Sequence, residues 1–241
     1  MEFSKSEIEK LFINKGGEFI SSAEEITNKL KGIKAFLFDW DGVFNEGSKG
    51  VDSESGFSEM DAIGIDMLRF SNWLNDGKEM PVCGIVTGAD NYGAYEFAKR
   101  EYFQNVYFKI GNKIDALRHM ERVHGIKPNE VAFFFDDFLD LAIAKEVGLS
   151  IFMRSKAKVL ISELVKKEKL ADYITAFSGG NHGLREVSEM LIGVQGNFDE
   201  TLKNRIEYSA LYQEYLDKKN KPATTFYTIG KSGVVIEHHV A

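Results

Sequence analysis

The segment FLFDWDGVFNEG, residues 36–47, sets an apolar run directly against two carboxylates, Asp39 and Asp41. Nearly unbroken apolar character suits a strand buried on both faces of a parallel sheet. In an extended chain the side chains at i and i+2 share a face. Asp39 and Asp41 therefore point together at the end of the strand, while Trp40 turns away into packing. Gly42 then lets the chain leave through backbone conformations closed to bulkier residues.

Similar runs recur at residues 82–86, 106–110, 131–135 and 149–153. Between them lie amphipathic stretches: Ile63, Met67, Phe70 and Leu74 at helical spacing, then residues 92–100, 113–124 and 139–147. Asn75-Asp76-Gly77 and Gly125 read as helix stops. This alternation predicts an α/β fold, a Rossmann-like doubly wound parallel sheet, over residues 32–192. Three regions break the rhythm. Residues 1–31 read as a helical N-terminal extension with Ser22 and Glu25 as a capping box. Residues 42–60, rich in glycine and serine, read as a hairpin or flap. Residues 193–241 read as an α+β appendage, with a helix over 199–218 followed by two strands in TFYTIGKSGVVIEH. The GKS there is no phosphate-binding loop, because Thr225 stands where the upstream glycine must be.

The 241 residues carry a net charge of −7, which argues against a nucleic-acid partner. The single cysteine, Cys83, leaves no disulfide framework and fits a reducing compartment. No apolar run approaches the roughly 20 residues that span a bilayer, and the polar residues after Met1 do not read as a signal peptide. The expectation is a cytoplasmic protein with no membrane partner.

Ligands of open parallel sheets bind beyond the carboxyl ends of the strands. There the sequence places Asp39 and Asp41 first, Thr87-Gly88 second, Lys113 after the third run, and Asp136, Asp137 and Asp140 after the fourth. Singly, each has a bland reading as a turn, a cap or a solvated side chain. Several acids on one rim repel unless a cation is present, and an oxygen-rich site suits Mg²⁺. Thr87 and Lys113 are what a phosphoryl group needs from the opposite side.

In order, Asp-x-Asp-Gly-Val, Thr-Gly, Lys and Asp-Asp-x-x-Asp resemble the four motifs of the haloacid dehalogenase (HAD) superfamily of phosphatases. Residues 33–192 further resemble its 3-deoxy-D-manno-octulosonate 8-phosphate phosphatase subfamily, through DWDGVFNEG, EMDAIGIDML, VAFFFDDFLDLAIAKEVGLS and ADYITAFSGGNHGLREVSEMLI. The resemblance implies a Mg²⁺-dependent phosphomonoesterase acting on a phosphorylated sugar or sugar acid. It also implies a fold without a large cap domain, and a homotetramer in which a neighbour's hairpin covers the site. By position, Asp39 becomes the nucleophile and Asp41 the acid/base. The metal falls to Asp39, the Asp41 carbonyl and Asp136, with Asp137 and Asp140 in support. Thr87, Gly88 and Lys113 bind phosphoryl oxygens. Arg185 either reaches an acidic substrate group or pairs with Glu186 or Glu189 on its helix.

Two positions depart from the pattern. Phe135 stands where the family has glycine, and either crowds the acidic loop or faces the core. Ala89-Asp90 follows Thr87-Gly88 where the subfamily has arginine. Phe135 and the terminal segments also motivate a reading of another class, a non-catalytic scaffold or binding partner of a sugar-pathway enzyme.

Overall fold

The computed structural model describes residues 3–48 and 56–238. The chain opens with α1 (Lys5–Ile13), β1 (Glu18–Phe19) and α2 (Ala23–Leu30), then enters β2 (Ala35–Asp39). After α3 (Glu59–Asn75) come β3 (Val82–Val86), α4 (Tyr92–Arg100), β4 (Asn105–Tyr107) and α5 (Ile114–His124). Next are β5 (Val131–Phe135), the short α6 (Leu141–Ala144), β6 (Leu149–Phe152), α7 (Val159–Lys167) and β7 (Tyr173–Ile174). The chain closes with α8 (Gly183–Gln195), α9 (Phe198–Ile206), α10 (Ala210–Lys219), β8 (Thr225–Ile229) and β9 (Val235–Glu237).

Among the described residues, nine strands form one sheet in the order β1-β7-β6-β5-β2-β3-β4-β8-β9, antiparallel only at its two outer pairs. Period-two alternation sends Phe36, Phe38 and Trp40 to one face, beneath α3, α8 and α10, and Ala35 and Leu37 to the other, beneath α5, α6 and α7. The sheet is therefore doubly wound. From β2 the chain builds outward through β3 and β4, then returns to lay β5 on the opposite side of β2. That reversal puts a crevice at the carboxyl ends of β2, β3 and β5, where open α/β sheets bind ligands.

Several expected boundaries move for local reasons. The third run ends at Tyr107 instead of Ile110 because Lys109 adopts φ 54°, which breaks the strand. The helix expected over 199–218 is two helices, divided where Tyr208 takes φ 48° and Ser209 caps α10 by accepting the Tyr212 N–H at 3.2 Å. The helix expected over 139–147 shrinks to a 3-10 turn, Phe138–Asp140, followed by α6, because Asp137 and Asp140 cap one another there. In the 42–60 region, residues 43–44 close a turn onto the Trp40 carbonyl, at 3.3 and 3.0 Å. Glu59 and Met60 already belong to α3, whose N-cap is Ser58. The centre of the expected flap, residues 49–55, lies outside the described residues. The Ser22–Glu25 capping box forms as expected, with both reciprocal bonds in place.

Both terminal segments join the sheet. β1 pairs with β7, and β8 extends β4 in parallel, setting Asn105 opposite Thr225 and Tyr107 opposite Tyr227. The boundary expected at residue 193 falls inside α8. Among the described residues, no helix is long and apolar enough to cross a membrane.

Candidate active site

β2 delivers Asp39, buried at 5 % exposure, directly beside the end of β3, where it lies opposite Val86 in the register. Thr87 follows Val86 and is likewise buried. Two residues beyond the Phe38–Phe134 pairing, β5 releases Asp136. The crevice encloses about 550 Å³, and its lining includes Asp39, Asp41, Thr87, Gly88, Lys113, Asp136 and Asp137. Trp40 is fully buried on the other face, stacked on Phe44 with ring centroids 4.7 Å apart.

Lys113, at the N-cap of α5, places its Nζ 2.6 Å from both Asp39 Oδ1 and Asp140 Oδ1. All three groups are buried. Burial, with Asp140 beside it, pushes the Asp39 carboxyl well above the usual carboxylate range, and Lys113 opposes that rise. Burial works against the charged form of Lys113 too, but Asp39 and Asp140 outweigh it and hold the ammonium above its ordinary value.

Carboxylate oxygens of Asp39, Asp136 and Asp140 lie within 4.8 Å of one another. Their other contacts sort them. Asp140 spends Oδ1 on Lys113 and Oδ2 on the Asp137 N–H, at 3.2 Å. Asp136 keeps Oδ1 buried with no hydrogen-bond partner, an expensive arrangement unless a cation meets it. Burial also raises the Asp136 carboxyl, with Lys158 pulling the other way. An all-oxygen, clustered, under-satisfied donor set fits a hard divalent ion such as Mg²⁺. Asp140 has both oxygens committed, so Asp39 and Asp136, each with one oxygen outside the Lys113 and Lys158 pairs, are the donors left for the ion.

The backbone around the acids is shaped for close approach. Gly42 has φ 89°, and a Cβ there would fall 1.9 Å from Asp136 Oδ2. A Cβ on Gly179 would fall 2.0 Å from the Gly42 carbonyl oxygen. The Gly-Gly pair ahead of α8 therefore lets that loop lie flat against the turn that follows Asp41.

Two residues that line or order the crevice escape a reading of the sequence. Asn91 occupies the N-cap of α4 yet caps nothing. Its Nδ2 instead donates to Asp41 Oδ2 at 2.9 Å and to Thr87 Oγ1 at 2.7 Å. An Asn after Thr-Gly-Ala-Asp looks like a routine helix cap, so only the structure separates the two roles. Lys158 ion-pairs with Asp136 Oδ2 and lies 3.0 Å from Asp137 Oδ2. It sits in the basic stretch RSKAK, where nothing in the spacing marks it.

Other expectations resolve as follows. Phe135 faces the core, its ring stacked on Phe133 at 5.7 Å and edge-on to Phe152 at 5.3 Å, so it does not crowd the acidic loop. Asp90, following Ala89, accepts from Lys109 Nζ at 2.6 Å and the Tyr95 hydroxyl at 2.7 Å. Arg185 is not among the crevice-lining residues. Its Nε pairs with Glu189 at 2.6 Å, and it borders a separate groove with Met60, Phe177 and His182.

No family model matches the chain. It is similar to the 3-deoxy-D-manno-octulosonate 8-phosphate phosphatase of Salmonella typhi, 26% identical over 179 residues that cover 73% of this chain and 87% of the relative. The Yersinia pestis enzyme of that name is 23% identical over 182 residues, 73% of this chain and 89% of the relative. Among solved structures, the enzyme of that name from Moraxella catarrhalis, in complex with a magnesium ion, a phosphate ion and a KDO molecule, is 26% identical. It superposes with TM-score 0.63, covering 76% of this chain and 98% of that one. The cobalt-bound deoxy-D-mannose-octulosonate 8-phosphate phosphatase from Haemophilus influenzae shares the fold at TM-score 0.59 and 21% identity, over 73% and 99% of the two chains. Motif order, the crevice and these likenesses agree: the chain is similar, in sequence and in fold, to the 3-deoxy-D-manno-octulosonate 8-phosphate phosphatases.

Proposed function

We propose that the chain hydrolyses the phosphomonoester of a sugar or sugar acid, with Mg²⁺ bound, through a phosphoryl-Asp39 intermediate. The observation that carries this reading is the convergence of Asp39, Thr87 and Asp136, at the ends of three adjacent strands, with Lys113 from the start of α5. An Asp39 carboxylate oxygen attacks phosphorus while the ester P–O bond breaks, and Asp41 gives its proton to the departing sugar oxygen. In the second step water attacks phosphorus, Asp41 takes its proton, and the Asp39 carboxylate leaves from inorganic phosphate. Thr87 and the Gly88 backbone receive phosphoryl oxygens, and Lys113 offsets charge on the Asp39 side. Asp39, Asp136 and the Asp41 carbonyl would hold the metal, which when bound would supply positive charge to an otherwise repelling set of acids.

The sugar-acid part of the reading rests on the relatives, whose names specify such a substrate. Phe135 packs in the core, so it no longer supports a non-catalytic scaffold. A homotetramer belongs to the same proposal, and the mass of the full chain in solution tests it. The functional test is phosphate release from a panel of sugar-acid and neutral sugar phosphates, with Mg²⁺ and again with EDTA. Turnover of a sugar-acid phosphate that EDTA abolishes supports the reading. Absence of turnover across the panel with Mg²⁺ contradicts it.

A further inference from the structure

We infer that Lys158 is an intramolecular cation that competes with the metal ion for Asp136. The inference rests on the metal-dependent reading above. Lys158 lies directly before α7, with its ammonium among three oxygens: Asp136 Oδ2, the Asp136 carbonyl at 3.0 Å and Asp137 Oδ2 at 3.0 Å. An ammonium has three protons to give, and this site uses all of them. A compact point charge on a flexible stem can replace an ion in this way.

The position is distinct from that of Lys113. Lys113 bridges Asp39 and Asp140, and neither contact involves Asp136. Lys158 approaches Asp136 from the opposite rim, and Asp136 is the acid whose second oxygen is buried without a partner. A divalent ion bound by Asp136 would lie within a few ångströms of the Lys158 ammonium, where like charges repel. Ion binding at Asp136 Oδ1 therefore works against the Lys158 contact on Oδ2. Asp137, a third exposed at the rim, is placed to keep the displaced ammonium beside the crevice. In the absence of metal, Lys158 relieves the repulsion among the acids. The consequence is a weaker affinity for the ion.

Isothermal titration of Mg²⁺ into full-length wild type, Lys158→Met and Lys158→Arg tests this. The contact is part-exposed, so the methionine variant is expected to bind Mg²⁺ about fivefold tighter, which is about 1 kcal/mol at about 1.4 kcal/mol per tenfold. Its melting temperature in EDTA should fall below wild type, with saturating Mg²⁺ closing the gap. Lys158→Gln should show the same gain in affinity if the methionine variant does not fold. Lys158→Arg, which keeps the charge, should bind as wild type does. Unchanged or weaker Mg²⁺ binding by the neutral variants overturns the inference, as does an equal gain in Lys158→Arg. Absence of Mg²⁺ binding by wild type and variants alike overturns the metal reading itself.

Discussion

The Lys113 ammonium lies 2.6 Å from Asp39 and 2.6 Å from Asp140, so a single buried charge ties the end of β2 to the acidic turn after β5. Removing it leaves two buried carboxylates facing one another. Breaking a buried pair in this way costs roughly 3–5 kcal/mol. Lys113→Met should therefore melt well below wild type in EDTA and recover part of the difference in Mg²⁺. Its turnover should fall by about 10²–10³, the usual loss for a preorganised charge at a reacting group. A wild-type melting temperature in EDTA would contradict this account of the pair.

Asn91 turns its amide from the helix end to Asp41 and Thr87. In the proposed mechanism it orients the Asp41 acid/base. Asn91→Ala should lower kcat by roughly ten- to a hundredfold, within the range that misplacement costs, and leave KM nearly unchanged. The helix itself should tolerate the change, because this side chain makes no cap bond. Steady-state kinetics decide the matter: a wild-type kcat would remove the positioning role.

The fold was legible where burial and chain order decide it. Unbroken apolar runs marked the inner strands, and an i, i+2 argument placed Asp39 and Asp41 on one face with Trp40 on the other. The stretches that resisted depend on single backbone choices. Neither the φ of Lys109, which shortens β4, nor that of Tyr208, which divides the helix expected over 199–218, is written in the hydrophobic pattern. The site acids and Lys113 were legible because their motif order is distinctive. Asn91 and Lys158 were not, since an Asn at a helix start and a Lys in a basic stretch have common structural uses. Only the side-chain directions tell those uses apart.

The carboxyl-terminal segment packs on the core through a buried charge. Asp66 accepts from Lys219 Nζ at 2.7 Å and from the Tyr215 hydroxyl at 2.9 Å, and Tyr215 is fully buried against Phe70 and Trp73. Lys219 and its surroundings hold the Asp66 carboxyl below the usual range despite its burial. Lys219→Met should destabilise the protein by about 3 kcal/mol, read as a lower midpoint in urea. An unchanged midpoint would show that α10 contributes little to the stability of the core.

The most direct measurement of the central claim is turnover by Asp39→Asn in Mg²⁺, set beside its melting temperature. The account predicts no phosphate release above background. Melting at or above wild type is expected in EDTA, because the amide removes a charge that burial disfavours and that Asp140 and Asp136 repel, while Lys113 keeps its pair with Asp140. Phosphate release at a rate near wild type by this variant would contradict the assignment of Asp39 as the nucleophile.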